Sequence, residues 1–329
     1  MTNFNVIGIG NAIVDVISHG EDTFLDHMGI EKGIMQLVER DRAEVLYAAM
    51  KDRVETPGGS VANTIAGLGT LGLSTAFIGK VKDDALGRFY AKGMEDAGTA
   101  FPNPPSQTAQ APTSRSMIFV SPDGERSMNT YLGAGADLGS ADVPAGLFDA
   151  GGILFLEGYL FDKDDGKTAF AEASRLMHAA GGKSGITLSD PFCADRHRAD
   201  FQRLITEEMD FVIGNEAEWT TLYQTKDLDA ALDQASAVCE TVVCTRSGDP
   251  VQLRRGAERT EVPVTRVVPV DATGAGDQFA AGFLYGYARG QSLEISGRMG
   301  VIAAAEVIGH VGPRPKADLK TLFKDAGLI

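Results

Sequence analysis

From residue 151 onward, short apolar runs alternate with helical patterns at a steady interval, and few folds accept that rhythm. Ile153–Leu156, Gly185–Leu188, Phe211–Ile213 and Thr241–Cys244 read as strands. Between them lie the helical patterns Lys163–Ala180, His197–Glu208, Glu216–Tyr223 and Leu228–Cys239. Strands with no polar face must be covered on both sides, and connections this long suit crossovers rather than hairpins. The expected fold class is α/β, a doubly wound, mostly parallel sheet with helices on both faces. The first half adds a strand at Phe4–Gly10, a small-residue helix at Ser60–Leu71 and a strand at Ala76–Val81. An amphipathic helix follows at Asp84–Ala97, with Leu86, Phe89, Tyr90, Gly93 and Met94 on one face. Two stretches break the rhythm. Residues 12–38, which include the extended run Ile13–Ile17, and residues 108–132 are extended and of mixed polarity, and Pro102, Pro104, Pro105 and Pro112 oppose a long helix before or within the second. Such strands leave a parallel sheet to form a small sheet or flap. Residues 1–329 are therefore expected to be one domain with a β lid built from 12–38 and 108–132.

Composition narrows the partners. With 43% apolar and 23% charged residues the chain can bury a core, which excludes disorder. Acidic residues outnumber basic ones 45 to 30, for a formal charge of −15. That field repels nucleic acid and anionic membrane, so neither is an expected partner, and an anionic substrate needs a local basic or dipolar site. Cys193, Cys239 and Cys244 are too few, and odd in number, for a disulfide framework, and no CxxC occurs. The first basic residue is Lys32, which leaves no positively charged leader, and the longest apolar stretch, Val301–Ile308, contains Glu306. A cytoplasmic location is expected.

Three motifs mislead. Gly67-Leu68-Gly69-Thr70-Leu71-Gly72 spells the dinucleotide fingerprint, but it follows a helix and precedes a strand, the reverse of the required order. Close helix packing explains its glycines. Gly181-Gly182-Lys183-Ser184 resembles the tail of a phosphate-binding loop, yet Met177 stands where the first glycine belongs. His19, His27, His178, His197 and His310 show no zinc-ligand spacing.

The strongest signal is Asp271-Ala272-Thr273-Gly274-Ala275-Gly276-Asp277, which opens a helix with Phe279, Phe283, Leu284 and Tyr287 on one face. Gly274, Ala275 and Gly276 would present backbone N–H groups at a helix N-terminus, where the dipole is equivalent to roughly half a positive charge. Asp277 would repel a phosphate held passively there. It makes sense as a base that takes a proton from an attacking hydroxyl while the amides hold charge on the phosphoryl group in flight. The plain alternative is a helix-capping aspartate after a glycine turn. Gly58-Gly59-Ser60-Val61-Ala62-Asn63 likewise places two glycines before a helix, with Asn63 one turn inside. Asp15 and Asn63 can accept hydrogen bonds from two adjacent hydroxyls of a vicinal diol.

Gly58–Asn63 and Asp271–Gly282 resemble the two signature regions of the ribokinase-like (PfkB) carbohydrate and nucleoside kinases, in order and spacing over essentially the whole chain. The resemblance implies a ribokinase-like fold with a β lid, Asp277 as catalytic base, and Gly274, Ala275 and Gly276 as the anion hole. Phe211–Glu218 resembles that family's strand and N-x-x-E motif, which puts Asn215 and Glu218 near magnesium through water. Thr245-Arg246-Ser247-Gly248 resembles the nucleotide-facing loop, where the family more often has lysine in place of Arg246. Arg126 stands where relatives place a basic residue near the transferred phosphate, a surface arginine being the plain alternative. Gly8-Ile9-Gly10-Asn11-Ala12-Ile13-Val14-Asp15-Val16 is most similar to adenosine kinases, whose corresponding asparagine and aspartate hold the ribose beside Gly58, Gly59 and Asn63. Met35-Gln36-Leu37 and Ser189-Asp190-Pro191-Phe192 resemble the same subgroup, which implies Gln36 and Phe192 at the purine. Pro191-Phe192-Cys193 lacks the Asn and Arg common after Asp-Pro in sugar kinases of the family.

The expected activity is transfer of the γ-phosphoryl of ATP to a primary hydroxyl, the 5′-OH of adenosine or a related nucleoside, with Mg²⁺. The resemblance also allows a monovalent cation such as K⁺ near Asp271 and Thr273. Two alternatives remain. One is a PfkB-type sugar kinase acting on ribose, fructose or a sugar acid, because Asp15 and Asn63 serve a furanose equally well. The other is a non-catalytic nucleoside-binding protein, which Asp277 disfavours. A dinucleotide oxidoreductase is a distant third, since Ile13 replaces the third glycine after Gly8 and Gly10. Relatives include monomers and dimers, so a monomer and a homodimer are both open.

Overall fold

The computed structural model describes residues 3–148 and 151–329. The strands of the first half are β1 (Val6–Ile9), β2 (Ile13–His19), β3 (Met35–Leu37), β4 (Val54–Gly58), β5 (Thr75–Ile78), β6 (Thr99–Ala100), β7 (Ser114–Val120) and β8 (Arg126–Tyr131). Those of the second half are β9 (Ile153–Glu157), β10 (Lys183–Thr187), β11 (Phe211–Asn215), β12 (Thr241–Arg246), β13 (Asp249–Arg255) and β14 (Glu258–Val262). Among the described residues they form two sheets, a nine-stranded one in the order β14-β13-β12-β11-β10-β9-β1-β5-β6 and a five-stranded one in the order β3-β8-β7-β2-β4. All neighbours in the large sheet are parallel from β12 to β6, and β13 and β14 close its edge antiparallel.

Alternate side chains of the apolar strands feed two different cores. Val6 and Phe155 point into a layer with the helices Ser60–Thr70, Ala275–Ala288 and Leu293–Val307. Ile7, Ile9, Leu154 and Leu156 point the other way, into a layer with the helices Asp164–Ala179, Arg198–Glu207, Glu216–Leu222 and Leu228–Ser236. This is the two-sided burial that strands without a polar face require. The glycines of the false dinucleotide motif serve packing. A Cβ on Gly67 would meet Gln278 Oε1 at 2.5 Å and the Ala281 methyl at 3.1 Å, so Gly67 lets two helices lie close together, and one on Gly69 would meet Ala97 O at 2.7 Å.

The sheet order reverses at β1, between β9 and β5. In open α/β sheets the crevice beyond the carboxyl ends of the strands at such a point is where ligands bind. The small sheet lies at that end of the large one, with β2 following directly from β1.

Three features depart from the sequence expectations. Residues 12–38 are not extended throughout, because Asp22–Met28 is a helix with only Leu25 buried. A seven-residue helix is too short to display a period. The small sheet also recruits β4 from outside the two expected stretches, and residues 108–113 contribute no strand to it. β4 contains Pro57, which a strand tolerates at a sheet edge, and β4 is an edge strand paired only with β2. Finally, Arg40–Ala49 forms a helix of low amphipathicity, which hydrophobic spacing does not reveal. No helix among the described residues is long and apolar enough to cross a membrane.

Candidate active site

A cavity of about 630 Å³ opens at the carboxyl ends of β1, β9, β10 and β11. Its floor includes Asn11, Glu157, Thr187 and Ile213, and the small sheet supplies Asp15, Met35, Leu37, Ser116, Met128 and Thr130. Two helices aim their N-termini into it. These are Ser60–Thr70, preceded by Gly59, and Ala275–Ala288, preceded by Gly274.

Asp277 lies in the first turn of the second helix and is held by the first. Ser60 Oγ donates to its Oδ1 at 2.7 Å, and Asn63 Nδ2 donates to its Oδ2 at 3.0 Å. Thr64 Oγ1 donates to its backbone carbonyl at 3.0 Å, so the two helices share one polar seam. Burial pushes its carboxyl up to about 6, against the bonds from Asn63 and Ser60 and the charge of Arg314, which favour the ionised form. A base that ionises just below neutrality is suited to proton abstraction at physiological pH.

Gly274 adopts φ 80°, a left-handed conformation that starts the helix sharply. Of the loop amides, Ala275 N–H donates to Ala272 O at 3.2 Å, while Gly274 and Gly276 N–H have no acceptor among the described residues. A Cβ on Gly274 would also meet Pro313 Cα at 2.6 Å. Gly274→Ala therefore combines a left-handed penalty of about 1–2 kcal/mol with a backbone clash. It is expected to lower Tm by at least ~2 °C, measured by calorimetry, and to slow phosphoryl transfer severalfold.

Asp15 faces the cavity from β2 with 8% of its surface exposed, and no hydrogen bond from the described residues acts on its carboxylate. Burial raises it to about 7, opposed by the charges of Arg314 and Arg126 and reinforced by that of Asp277. Gly58 leaves room for it, since a Cβ there would sit 2.4 Å from Asp15 Oδ2. Asn11 is fixed from below by Glu157. Glu157 Oε1 accepts from Asn11 N–H at 2.7 Å and from Asn11 Nδ2 at 3.0 Å, and Oε2 accepts from Val61 N–H at 3.0 Å. The amide oxygen of Asn11 is left buried and unpartnered. Burial also lifts Glu157 to about 7.

On the far side of the cavity, Asn215 and Glu218 form a capping box. Asn215 Oδ1 accepts from Glu218 N–H at 2.9 Å, and Glu218 Oε2 accepts from Asn215 N–H at 2.8 Å. Both side chains line the cavity, and burial raises Glu218 to about 7. Thr245 lines it too, whereas Arg246 is paired with Glu216 at 3.1 Å and neither it nor Gly248 is in the wall. Arg126 crosses from β8 to the helix-start loop, 2.7 Å from Asp271 and 3.2 Å from Thr273 Oγ1, with only 12% of its side chain exposed. Asp271 stays below the ordinary carboxylate range despite its burial, because Gly312 and Thr273 N–H groups bond to it and Arg126 faces it.

Gln36 does not reach the cavity. Strand alternation turns Met35 and Leu37 toward it and Gln36 away, where its Nε2 donates to Asn129 Oδ1 at 2.7 Å. Phe192 stands at the cavity wall with 82% exposure, so it fills no core. Tyr159 and Ser189 line the same part of the cavity, and Tyr159 Oη donates to Ser189 O at 3.2 Å. Sequence reasoning missed Tyr159, Glu157 and Arg314, and it gave Ser189 no role beyond its place in the motif before Phe192. The available signal for Glu157 was a charge ending the apolar strand Ile153-Leu154-Phe155-Leu156.

A family model described as pfkB family carbohydrate kinase matches residues 31–320. The chain belongs to that family. Among solved structures, this pfkB-family chain is similar to a probable sugar kinase from Rhizobium etli CFN 42, with 44% identity, a TM-score of 0.92 and coverage of 100% of both chains. It is equally similar to the adenosine kinase from Sinorhizobium meliloti, with 44% identity, a TM-score of 0.91 and coverage of 99% and 100%. Adenosine kinase 2 of Arabidopsis thaliana is 26% identical over 336 residues, 93% of this chain and 94% of the plant protein. The fold is thus the ribokinase-like α/β architecture, and the pfkB protein is a phosphotransferase acting on hydroxyl groups.

Proposed function

We propose that this kinase transfers the γ-phosphoryl of ATP to the 5′-OH of adenosine or a closely related nucleoside. The observation that carries the reading is the pairing of two buried carboxylates across one cavity. Asp277 is tethered at a helix N-terminus, and Asp15 is bare of hydrogen-bond partners among the described residues. A buried carboxylate without a partner is costly, and a ligand diol donating to Asp15 and to the free Asn11 amide oxygen would relieve that cost. The same cavity wall also carries the apolar and aromatic side chains Tyr159, Phe192, Met35, Leu37 and Met128. A purine face can use such a surface, and a free pentose cannot.

In this reading Asp277 takes the proton from the acceptor hydroxyl, Gly276 N–H meets the transferring phosphoryl, and Arg126 stands beside that loop as its local cation. Asp15, Asn11 and the Gly58–Gly59 turn fix the sugar, while Asn63 orients Asp277. The nucleotide lies toward Thr245 and Gly274. Mg²⁺ suits the donor set, because Asn215 and Glu218 offer oxygens to metal-bound water and among the described residues no cage of acidic, His or Cys side chains replaces phosphate ligands. Bound with ATP, the ion would neutralise phosphate charge. Arg126 already balances Asp271, so no monovalent cation is needed there. The chain works as one domain, and the small sheet is its lid, excluding water that would otherwise receive the phosphoryl group.

A free sugar as acceptor is the second reading, favoured by the likeness to the Rhizobium etli protein. The test is ADP release from Mg²⁺ and ATP with adenosine, inosine, guanosine, cytidine, ribose, fructose and no acceptor. Adenosine-dependent turnover with negligible ribose turnover is expected. Turnover on a free sugar alone would remove the nucleoside assignment and leave Asp277 as the base.

A further inference from the structure

Of the buried carboxylates lining the cavity, Asp15 and Asp277 have beside them one cation that the proposed chemistry leaves unused. That cation is Arg314, in the loop Gly312-Pro313-Arg314-Pro315. The loop is tied on both sides of the arginine. Gly312 N–H donates to Asp271 Oδ2 at 2.9 Å, and Gln278 Nε2 donates to Pro313 O at 3.0 Å. Beyond it, Lys316 and Ala317 N–H groups donate to Glu306 Oε1 at 3.0 and 2.8 Å. The two prolines stiffen the span further. This bracing costs chain entropy on folding, and it delivers one half-buried guanidinium to the side of the two helix starts.

There the guanidinium meets Met94 Sδ at 3.5 Å and donates through Nε to Asn63 Oδ1 at 3.4 Å. The other end of the same amide, Asn63 Nδ2, donates to Asp277 Oδ2 at 3.0 Å. A primary amide has one accepting end and one donating end, so a donor behind it favours the orientation that points Nδ2 at the carboxylate.

We infer that Arg314 is a positioning residue of the transfer site, holding the Asn63 amide toward Asp277 and setting a positive charge against the buried carboxylates Asp15 and Asp277. Its effect on turnover rests on the kinase reading; its effect on the carboxylates does not. Burial disfavours the charge on Arg314, and Tyr90, Asp15 and Asp277 offset that through space. Facing Asp277 are Ser60 and Asn63 from one helix, Asp15 from β2, Glu157 from β9, Tyr159 just after β9 and Arg314 from its loop. Facing Asp15 are Arg126 from β8, Tyr90 from the helix Ala85–Asp96, Arg314 and Asp277. Arg126 is already engaged by Asp271, which leaves Arg314 as the cation with the larger effect on Asp15.

The experiment compares wild type, Arg314→Gln and Arg314→Lys in two ways. One is the pH profile of kcat and kcat/KM. The other is a ¹³C-carboxyl NMR titration, with Asp277 and Asp15 assigned through Asp277→Asn and Asp15→Asn. Arg314→Gln is expected to move the acid limb and both carboxyl titrations upward by about one pH unit, a tenfold change in proton affinity. Arg314→Lys keeps the charge but not the planar fork, so the titrations should stay while kcat falls more than KM rises. A folded Arg314→Gln protein that titrates like wild type overturns the charge role. Arg314→Lys with wild-type kcat overturns the Asn63 role, and it serves as the deciding variant if the glutamine form does not fold. A merely structural arginine would lower Tm in both variants without moving either titration. Wild type that is silent with every acceptor refutes the kinase reading, and the NMR titration then decides the inference about Arg314 by itself.

Discussion

Asp277→Asn is expected to lose at least ~100-fold in kcat, the low end of what removal of a positioned general base costs, while binding its substrates normally. The substitution is close to isosteric and leaves the local bonds satisfiable. The oxygen of the introduced amide can accept from Asn63 Nδ2, and its nitrogen can donate to Ser60 Oγ, which accepts as readily as it donates. The seam between the two helices therefore survives, and so does the Thr64 bond to the backbone carbonyl. Stability should not fall. Asp277 is raised from 3.8 to about 6 in the folded chain, so above pH 6 the native state carries a charge that burial opposes, and a neutral amide removes that cost. Wild-type kcat should decline as pH drops through about 6, where the base takes up its proton. The residual activity of the variant should lack that limb. The measurements are steady-state kinetics from pH 5 to 9 and calorimetric titration of nucleotide and acceptor. Near-normal turnover in a folded variant would remove Asp277 from the mechanism.

How much of this was legible in the sequence depended on whether the signal was local. The large parallel sheet was, because a buried strand such as Ile153–Leu156 must be apolar on both faces, and its neighbours repeat at crossover spacing. The place of Asp277 at a helix start in the cavity wall was also legible, since a glycine turn, a helix start and a carboxylate are adjacent in the chain. The small sheet was only half visible. β2, β7 and β8 carry extended patterning, but β4 becomes a strand through pairing with β2, and a proline-containing edge announces nothing beforehand. Gln36 shows a related limit. A motif match selects three consecutive residues, and a strand sends the middle one to the opposite face.

Arg314 and Glu157 were illegible for a different reason. Each acts on residues far away in the chain: Glu157 on Asn11 and Val61, Arg314 on Asn63 and, through space, on Asp15 and Asp277. Neither lies in a spacing pattern. The reversal of strand order at β1 is what gathers them, because it brings the ends of β1 and β9 together with two helix N-termini. The buried carboxylates are thus concentrated where the topology leaves a gap, and the residues that contact them arrive from separate turns around that gap.

Asp15→Asn should separate function from stability in the opposite directions. In the folded chain Asp15 is raised to about 7 from an ordinary 3.8, by burial that Arg314 and Arg126 only partly offset. Between those two values the native state keeps a proton that the unfolded chain releases, so stability falls as pH rises through the window, and the loss is complete above about 7. Below pH 4 both states are protonated and the residue costs nothing. Asparagine mimics the protonated form at every pH. The variant should therefore exceed wild-type Tm by at least ~3 °C at pH 8, and the gain should be clearly smaller at pH 5 and vanish only below about pH 4. The upward shift already includes the attraction of Arg314 and Arg126, so losing those interactions is counted in the balance. Function should move the other way. A carboxylate accepting from ligand hydroxyls contributes about 1.5–3 kcal/mol per bond, more than a neutral amide supplies, so KM for the acceptor should rise ~10–100-fold with a smaller change in kcat. Differential scanning calorimetry at pH 5 and 8, with acceptor kinetics at pH 8, checks both halves. Unchanged KM would take Asp15 out of acceptor binding, and a lower Tm at pH 8 would show that its carboxylate stabilises the fold, leaving no buried charge for a bound diol to relieve.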